Sequence, residues 1–271
     1  MRAGADMATT ACASDARPCN QSGTSSTRPR RTACRGLSYA PMLPHEPHNP
    51  PERFLARHRD SAPSLHVARY RAMVEWFDET CGQLLADLDR RGVASNTLVV
   101  YVTDNGWIQS PDRPGYAPRS KQSPYDGGLR TPILLRWPGH IRPAVVDQPV
   151  SSIDVLPTLL KQVGIRIPED SPGVDLLDDR AVRSRRAVFG ACFAHDIPDL
   201  DRPERGLRWR WMIRDGWKLI VPDPVREPAG TVELYRIDRD PFEERNLALD
   251  QSRMANRLRR DLDRWWKGPL P

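Results

Sequence analysis

Residues 97–107 read TLVVYVTDNGW, and the organisation of the chain follows from this stretch. Thr97 to Val102 is an apolar, β-branched run without polar alternation, the pattern of a strand covered on both faces. It runs into Asp104-Asn105-Gly106, so polar groups stand at the strand's C-terminal end, where open α/β sheets bind ligands. Upstream, Val67, Tyr70, Val74, Phe77, Cys81, Leu84 and Leu88 recur at spacings of three and four. That predicts a long helix with one apolar stripe, capped by Ser64 and ended at Arg90-Arg91-Gly92. Downstream, Pro132 to Trp137 is a second buried strand, stopped by Pro138-Gly139. Ile153 to Val163 is a helix with Ser151 or Ser152 near its cap and Gly164 closing it. Helix, strand, loop, strand and helix together predict an α/β class with a mainly parallel sheet flanked by helices.

Beyond residue 185 the pattern shortens. Arg186–Phe193, Leu207–Arg214, Trp217–Val221 and Val232–Ile237 are short strands separated by turns such as Asp215-Gly216. An amphipathic helix from about Ser252 to Trp266 carries Met254, Leu258, Leu262 and Trp265 on one stripe. A small antiparallel sheet packed on that helix is expected. Three regions follow: residues 1–38, an α/β region over 39–185, and the antiparallel region over 186–271.

The 271 residues carry 41 Lys and Arg against 35 Asp and Glu, a net charge of +6. Six arginines against two acids in residues 1–38 account for +4, leaving only +2 for the rest. The whole-chain balance is therefore no argument for a nucleic-acid partner. Residues 1–38 show no helical or strand period and no apolar segment of a signal peptide, and read as a leader outside the fold. Cys12, Cys19 and Cys34 lack metal-site spacing, and Cys81 and Cys192 stand alone, so no disulfide framework is expected. No apolar run approaches the ~20 residues of a membrane span.

Three clusters carry candidate chemistry. Asp104 and Asn105 place a carboxylate beside an amide carbonyl, hard oxygen donors suited to Ca²⁺ or Mg²⁺; a plain Asp-Asn-Gly turn has the same sequence. Lys121 precedes Tyr125-Asp126-Gly127-Gly128, where a glycine pair lets backbone approach a ligand or a neighbouring segment closely. His45 and His48 lie in the proline frame PHEPHNPP of residues 44–51, able to bind metal, pass a proton or hold an anion. Each also reads locally as a solvated loop.

In this order the clusters resemble the sulfatases of the alkaline-phosphatase-like superfamily. The matching pieces are YAPMLPHEPHNPP, YRAMVEWFDETCGQLLADLDRRG, TLVVYVTDNG, KQSPYDGGLRTPILLRWPG and SSIDVLPTLLKQVG. Toward the C-terminus come WKLI, ELYRIDRDPFEERNLA and the tryptophan-rich helix. The resemblance implies hydrolysis of a sulfuric ester, borne by a small molecule or a sulfated glycan. It implies that Asp104 and Asn105 ligate one divalent cation, usually calcium. It also implies that Lys121 and His48 bind the sulfate group and assist catalysis, with His45 as a further contact. Asp126 stands where such enzymes usually have Glu.

The family's formylglycine arises from a Cys/Ser-x-Pro-x-Arg motif, and none is present. The nearest string is Thr27-Arg28-Pro29-Arg30-Arg31, and no nucleophile is found. The strand with the paired aspartates that complete the metal site is absent too. The chain thus resembles the C-terminal half to two-thirds of a sulfatase, expected to be poorly active alone and to self-associate or pair through an exposed sheet edge. Alternatives are a phosphate or phosphonate ester hydrolase of the same superfamily and a non-catalytic anion-binding remnant. Family members are often exported, yet no export signal is readable.

Overall fold

A computed structural model of the protein describes residues 36–268. The chain divides into Met1–Ser38 and Tyr39–Pro271. The leader reading, with Cys12, Cys19 and Cys34, falls on residues 1–35, outside the described residues.

From Tyr39 the chain runs through the proline-rich stretch, and Pro50-Pro51 leads into α1 (Glu52–His58). Helix α2 (Leu65–Arg90) follows, with the Ser64 hydroxyl accepting the Val67 N–H at 3.3 Å, the predicted cap. Phe54 and Leu55 of α1 bury against Ala68 and Ala72, small side chains that let the two helices close. The predicted apolar stripe of α2 is a different face. It is only half-buried and leaves Val74 exposed. Phe77 on that stripe meets Tyr101 at 6.0 Å between ring centroids. The stripe therefore faces a sheet, and that sheet is too narrow to cover it.

The sheet consists of β1 (Val99–Val102) and β2 (Ile133–Arg136), joined through a long loop and the short helix α3 (Asp126–Leu129). The two strands pair antiparallel, Val99 opposite Arg136 and Val102 opposite Ile133. This corrects the expectation of a mainly parallel sheet: among the described residues every strand pairing is antiparallel. A parallel neighbour needs a crossover that carries the chain back along the strand. Here the Gly106 N–H donates to the Gly128 carbonyl at 2.8 Å, which holds the loop at the end where β1 finishes. The chain enters β2 from that same end. Val102 is 44% exposed and Leu134 58%, so neither face of this pair closes.

Helix α4 (Val155–Gln162) starts from a capping box, with the Asp154 carboxylate accepting the Ser151 N–H at 2.8 Å. Asp154 also accepts the Val174 N–H at 2.9 Å and pairs with Arg185, which pins this segment ahead of α5 (Asp179–Ser184).

The C-terminal part follows the sequence closely. Strands β3 (Val188–Phe193), β4 (Leu207–Arg214), β5 (Trp217–Pro222) and β6 (Glu233–Arg236) form an antiparallel sheet in that order. Asp215 and Gly216 both take positive φ, 50° and 75°, the two-residue hairpin turn that suits twisted strands. Helix α6 (Ser252–Trp265) lays Ala255, Leu258 and Leu262 on Met212, Leu219, Val221 and Leu234. Full burial of such a side chain contributes about 1.5–3 kcal/mol. Leu258→Ala, at a position 1% exposed, is expected to cost about 2–5 kcal/mol, read as a lowered urea midpoint.

Candidate anion site

The two histidines and the lysine singled out in the sequence converge. Lys121 Nζ lies 3.2 Å from His45 Nε2, and His45 Nδ1 lies 2.9 Å from the Glu46 carbonyl oxygen. A carbonyl only accepts and an ammonium only donates, so His45 is the neutral tautomer with its proton on Nδ1. Trp107 joins this pair to His48. Its ring centroid is 6.3 Å from that of His45 and 5.8 Å from that of His48, and Lys121 Nζ lies 5.8 Å from it. Tyr70 of α2 closes the far side, 5.5 Å from the His48 ring. Burial holds the His48 pKa below its ordinary value, against the opposing pull of Glu46 and the Pro44 carbonyl. His48 Nε2 is buried without a hydrogen-bond partner among the described residues. Lys121 has no carboxylate partner among them either. The cluster is a cation, two imidazoles and aromatic walls, ready for an anion.

Asp104 and Asn105 follow β1 and stand one residue, Gly106, ahead of Trp107. Asn105 Nδ2 donates to the Gly106 carbonyl at 3.0 Å, which leaves its Oδ1 free as an acceptor. The exposed Asp104 carboxylate has no partner among the described residues. These oxygens fit one side of a Ca²⁺ or Mg²⁺ site, which needs six or more ligands. They do not complete it, since no group of three or more His, Cys, Asp and Glu among the described residues is arranged to hold a metal. No hydrogen bond or ion pair among the described residues joins either residue to Lys121, His45 or His48.

What brings the clusters near one another is backbone on backbone. A Cβ on Gly106 would lie 2.3 Å from the Gly127 carbonyl oxygen, and one on Gly128 would lie 2.2 Å from that of Ser120. The Asp-Asn-Gly turn and the Gly-Gly pair interlock, so the close approach expected of those glycines is to each other's segments. Gly128→Ala is expected to force the Ser120 loop outward, costing about 1–3 kcal/mol, with a lowered melting temperature as the readout.

The lysine loop is anchored from behind. Lys218 of β5 is fully buried, with Nζ 2.7 Å from Asp126 Oδ1 and 2.8 Å from Glu243 Oε1. The second approach lies off the hydrogen-bond direction, so it is chiefly Coulombic. Glu243 Oε2 accepts the Asp126 N–H at 2.7 Å. Arg119 donates to the Glu243 carbonyl at 2.7 Å and to Tyr235 Oη at 3.0 Å. Tyr125 donates to Glu233 at 2.9 Å, and burial followed by Glu233 pushes its pKa up to about 12. Trp107, Lys218, Glu243 and Arg119 were not among the sequence candidates. A lysine inside the apolar run Trp217-Lys218-Leu219-Ile220-Val221 was the available signal.

Burial raises the Glu243 pKa although Lys218 pulls it down. Stability from a raised carboxyl is present below its unfolded pKa and is lost as pH rises through the folded one. Wild type should therefore lose stability relative to Glu243→Gln as pH climbs above the ordinary carboxylate range, in urea titrations across pH. Lys218→Ala strands two buried carboxylates and is expected to cost about 3–5 kcal/mol, checked by the same titration at neutral pH.

Comparison with known proteins places the chain in a family. The sequence profile described as Sulfatase matches residues 36–165, and that of N-sulphoglucosamine sulphohydrolase, C-terminal, matches residues 119–266. A sulfatase of Formosa agariphila is 35% identical over 203 residues, covering 68% of this chain and 36% of that protein. The structure of Ps i-CgsB in complex with k-i-k-neocarrahexaose superposes with a TM-score of 0.65 at 21% identity, over 84% of this chain and 49% of that one. The phosphonate monoester hydrolase SpPMH from Silicibacter pomeroyi does so with a TM-score of 0.58 at 23% identity, over 82% and 49%. Fold and matches define a protein of the alkaline-phosphatase-like class. The chain belongs to the sulfatase family. It spans 36% of the length of the Formosa protein and about half of the two solved structures.

Proposed function

We propose that this chain is the C-terminal part of a metal-dependent sulfuric ester hydrolase acting on a sulfate monoester, borne by a small molecule or a sulfated glycan. The observation that carries this reading is Lys121, an ammonium with no carboxylate partner among the described residues, facing a neutral His45 beside His48 and Trp107. A sulfate group spreads negative charge over its oxygens, and Lys121 Nζ offsets it. His45 accepts from Lys121 and so orients that ammonium. His48 stands beside them with Nε2 unpartnered, and when protonated there it would donate to a sulfate oxygen or to the leaving oxygen. Asp104 and Asn105 would hold one side of a Ca²⁺ or Mg²⁺ ion, which supplies Lewis-acid charge to the ester oxygens when bound.

The nucleophile and the remaining metal ligands belong, in this reading, to residues other than those of the described fold, because no Cys/Ser-x-Pro-x-Arg motif occurs in the sequence. Among the described residues the outer edges of β1 and β2 are unpaired, and Val102 and Leu134 are exposed, which supports a wider sheet completed by further strands, or self-association through that edge.

Calorimetry of the 271-residue chain with sulfate in the presence of calcium is the direct test. Binding is expected, weakened at least tenfold in Lys121→Ala. Turnover of p-nitrophenyl sulfate by the chain alone is expected to stay at background, and clear turnover would refute its incompleteness. Tighter binding of phosphate or a phosphonate than of sulfate would favour the phosphonate-ester reading. Failure to bind calcium and any of these anions would mark a non-catalytic remnant.

A further inference from the structure

Helix α6 has two faces of opposite chemistry. Ala255, Leu258 and Leu262 are buried on the sheet. At 3.6 residues per turn, Arg253, Arg257, Arg260 and Arg264, spaced four, three and four apart, align on the opposite side. All four are exposed. Arg253, Arg257 and Arg260 have no carboxylate partner among the described residues. Arg264 shares Asp261 with Arg214. The neighbouring Arg259, off the stripe, pairs with Asp263 at 3.2 Å in the usual helical way.

Like charges one turn apart destabilise a helix, and Arg253 in the first turn opposes the helix dipole as well. Asp261 offsets this in part at Arg264, and no carboxylate does so for the other three by pairing among the described residues. The stripe spans about 16 Å at 1.5 Å per residue. At its Trp265 end it opens into a cleft of about 440 Å³ lined by Arg186, Phe189, Arg214, Asp261, Arg264 and Trp265. Three guanidiniums face one carboxylate there. The Phe189 and Trp265 rings stack on each other at 5.3 Å and 9°, which covers one face of each and gives the cleft an apolar wall.

We propose that the arginine stripe of α6 and this cleft bind a sulfated polysaccharide chain at a site separate from Lys121. Guanidiniums take anionic oxygens in pairs, and a row of them matches an anion repeated along a polymer. The proposal rests on the sulfuric-ester reading for its choice of polyanion. The near-neutral balance of residues 39–271 conceals the stripe, because acidic residues between Glu233 and Asp250 offset α6 in the sum but lie outside the stripe.

The test is calorimetry of the full chain with a sulfated carrageenan-type hexasaccharide, its desulfated counterpart and an oligothymidylate of matched charge. Arg257→Glu/Arg260→Glu is compared with Arg142→Glu/Arg180→Glu, a change of equal charge at exposed positions outside α6, and thermal unfolding checks that both variants are folded. Wild type and Arg142→Glu/Arg180→Glu should bind the sulfated chain within twofold of each other. The α6 variant should lose at least tenfold, and the desulfated sugar should not bind. Unchanged affinity in the α6 variant, equal binding of the desulfated sugar, an equal loss in Arg142→Glu/Arg180→Glu, or tighter binding of the oligothymidylate would each overturn it. If the stripe binds while inorganic sulfate shows no heat that depends on Lys121, the stripe stands and the sulfate-site reading fails.

Discussion

Lys218 is the hinge of the physical argument. Removing an ammonium from water costs several kcal/mol, and the loss is recovered only where carboxylates stand close and well oriented. Asp126 and Glu243 meet that need at 2.7 and 2.8 Å, and each belongs to a different part of the chain. Asp126 opens the short helix that carries Gly127 and Gly128, Lys218 lies in the C-terminal sheet, and Glu243 closes the turn after β6. One buried cation therefore ties the loop of the anion site to the C-terminal sheet and its core. Burial outweighs the pull of Lys218 and raises the Glu243 pKa, and the nearby Asp126 charge adds a smaller push in the same direction.

Lys121 shows the same side chain in the opposite setting. Lys218 is fully buried with two carboxylates, while Lys121 is partly open and has a neutral imidazole and an indole face as company. An ammonium already neutralised by carboxylates has little to offer an anion; one facing an imidazole nitrogen and a ring retains its charge for a ligand. Trp107 is central to this arrangement, because it follows the Asp-Asn-Gly turn in sequence and touches both histidines in space. The interlocked glycines keep that contact in register, since any side chain at Gly106 or Gly128 would meet backbone carbonyls.

Much of this was legible in the residues. The caps at Ser64 and Ser151, the Asp215-Gly216 turn, the four C-terminal strands and the amphipathic final helix are local patterns, and they formed as read. His45, His48 and Lys121 were nameable from their motifs. The direction of β2 relative to β1 was not legible, because an apolar run reads the same in either direction and the Gly106–Gly128 hydrogen bond that decides it joins residues far apart in sequence. How far the α2 stripe is covered was not legible for a related reason. Periodicity identifies which face is apolar, but the width of the sheet it meets decides how far that face is covered.

What the sequence determined by itself, then, is the set of elements, the chemistry of the candidate residues and the sulfatase resemblance, since these depend on spacing and side-chain type over short stretches. Tertiary structure alone decided which lysine is spent on the fold and which is free for a ligand, the antiparallel pairing of β1 and β2, and the role of Trp107. Those outcomes depend on groups brought together from distant segments, where desolvation and the presence or absence of a counter-charge change what an identical side chain does.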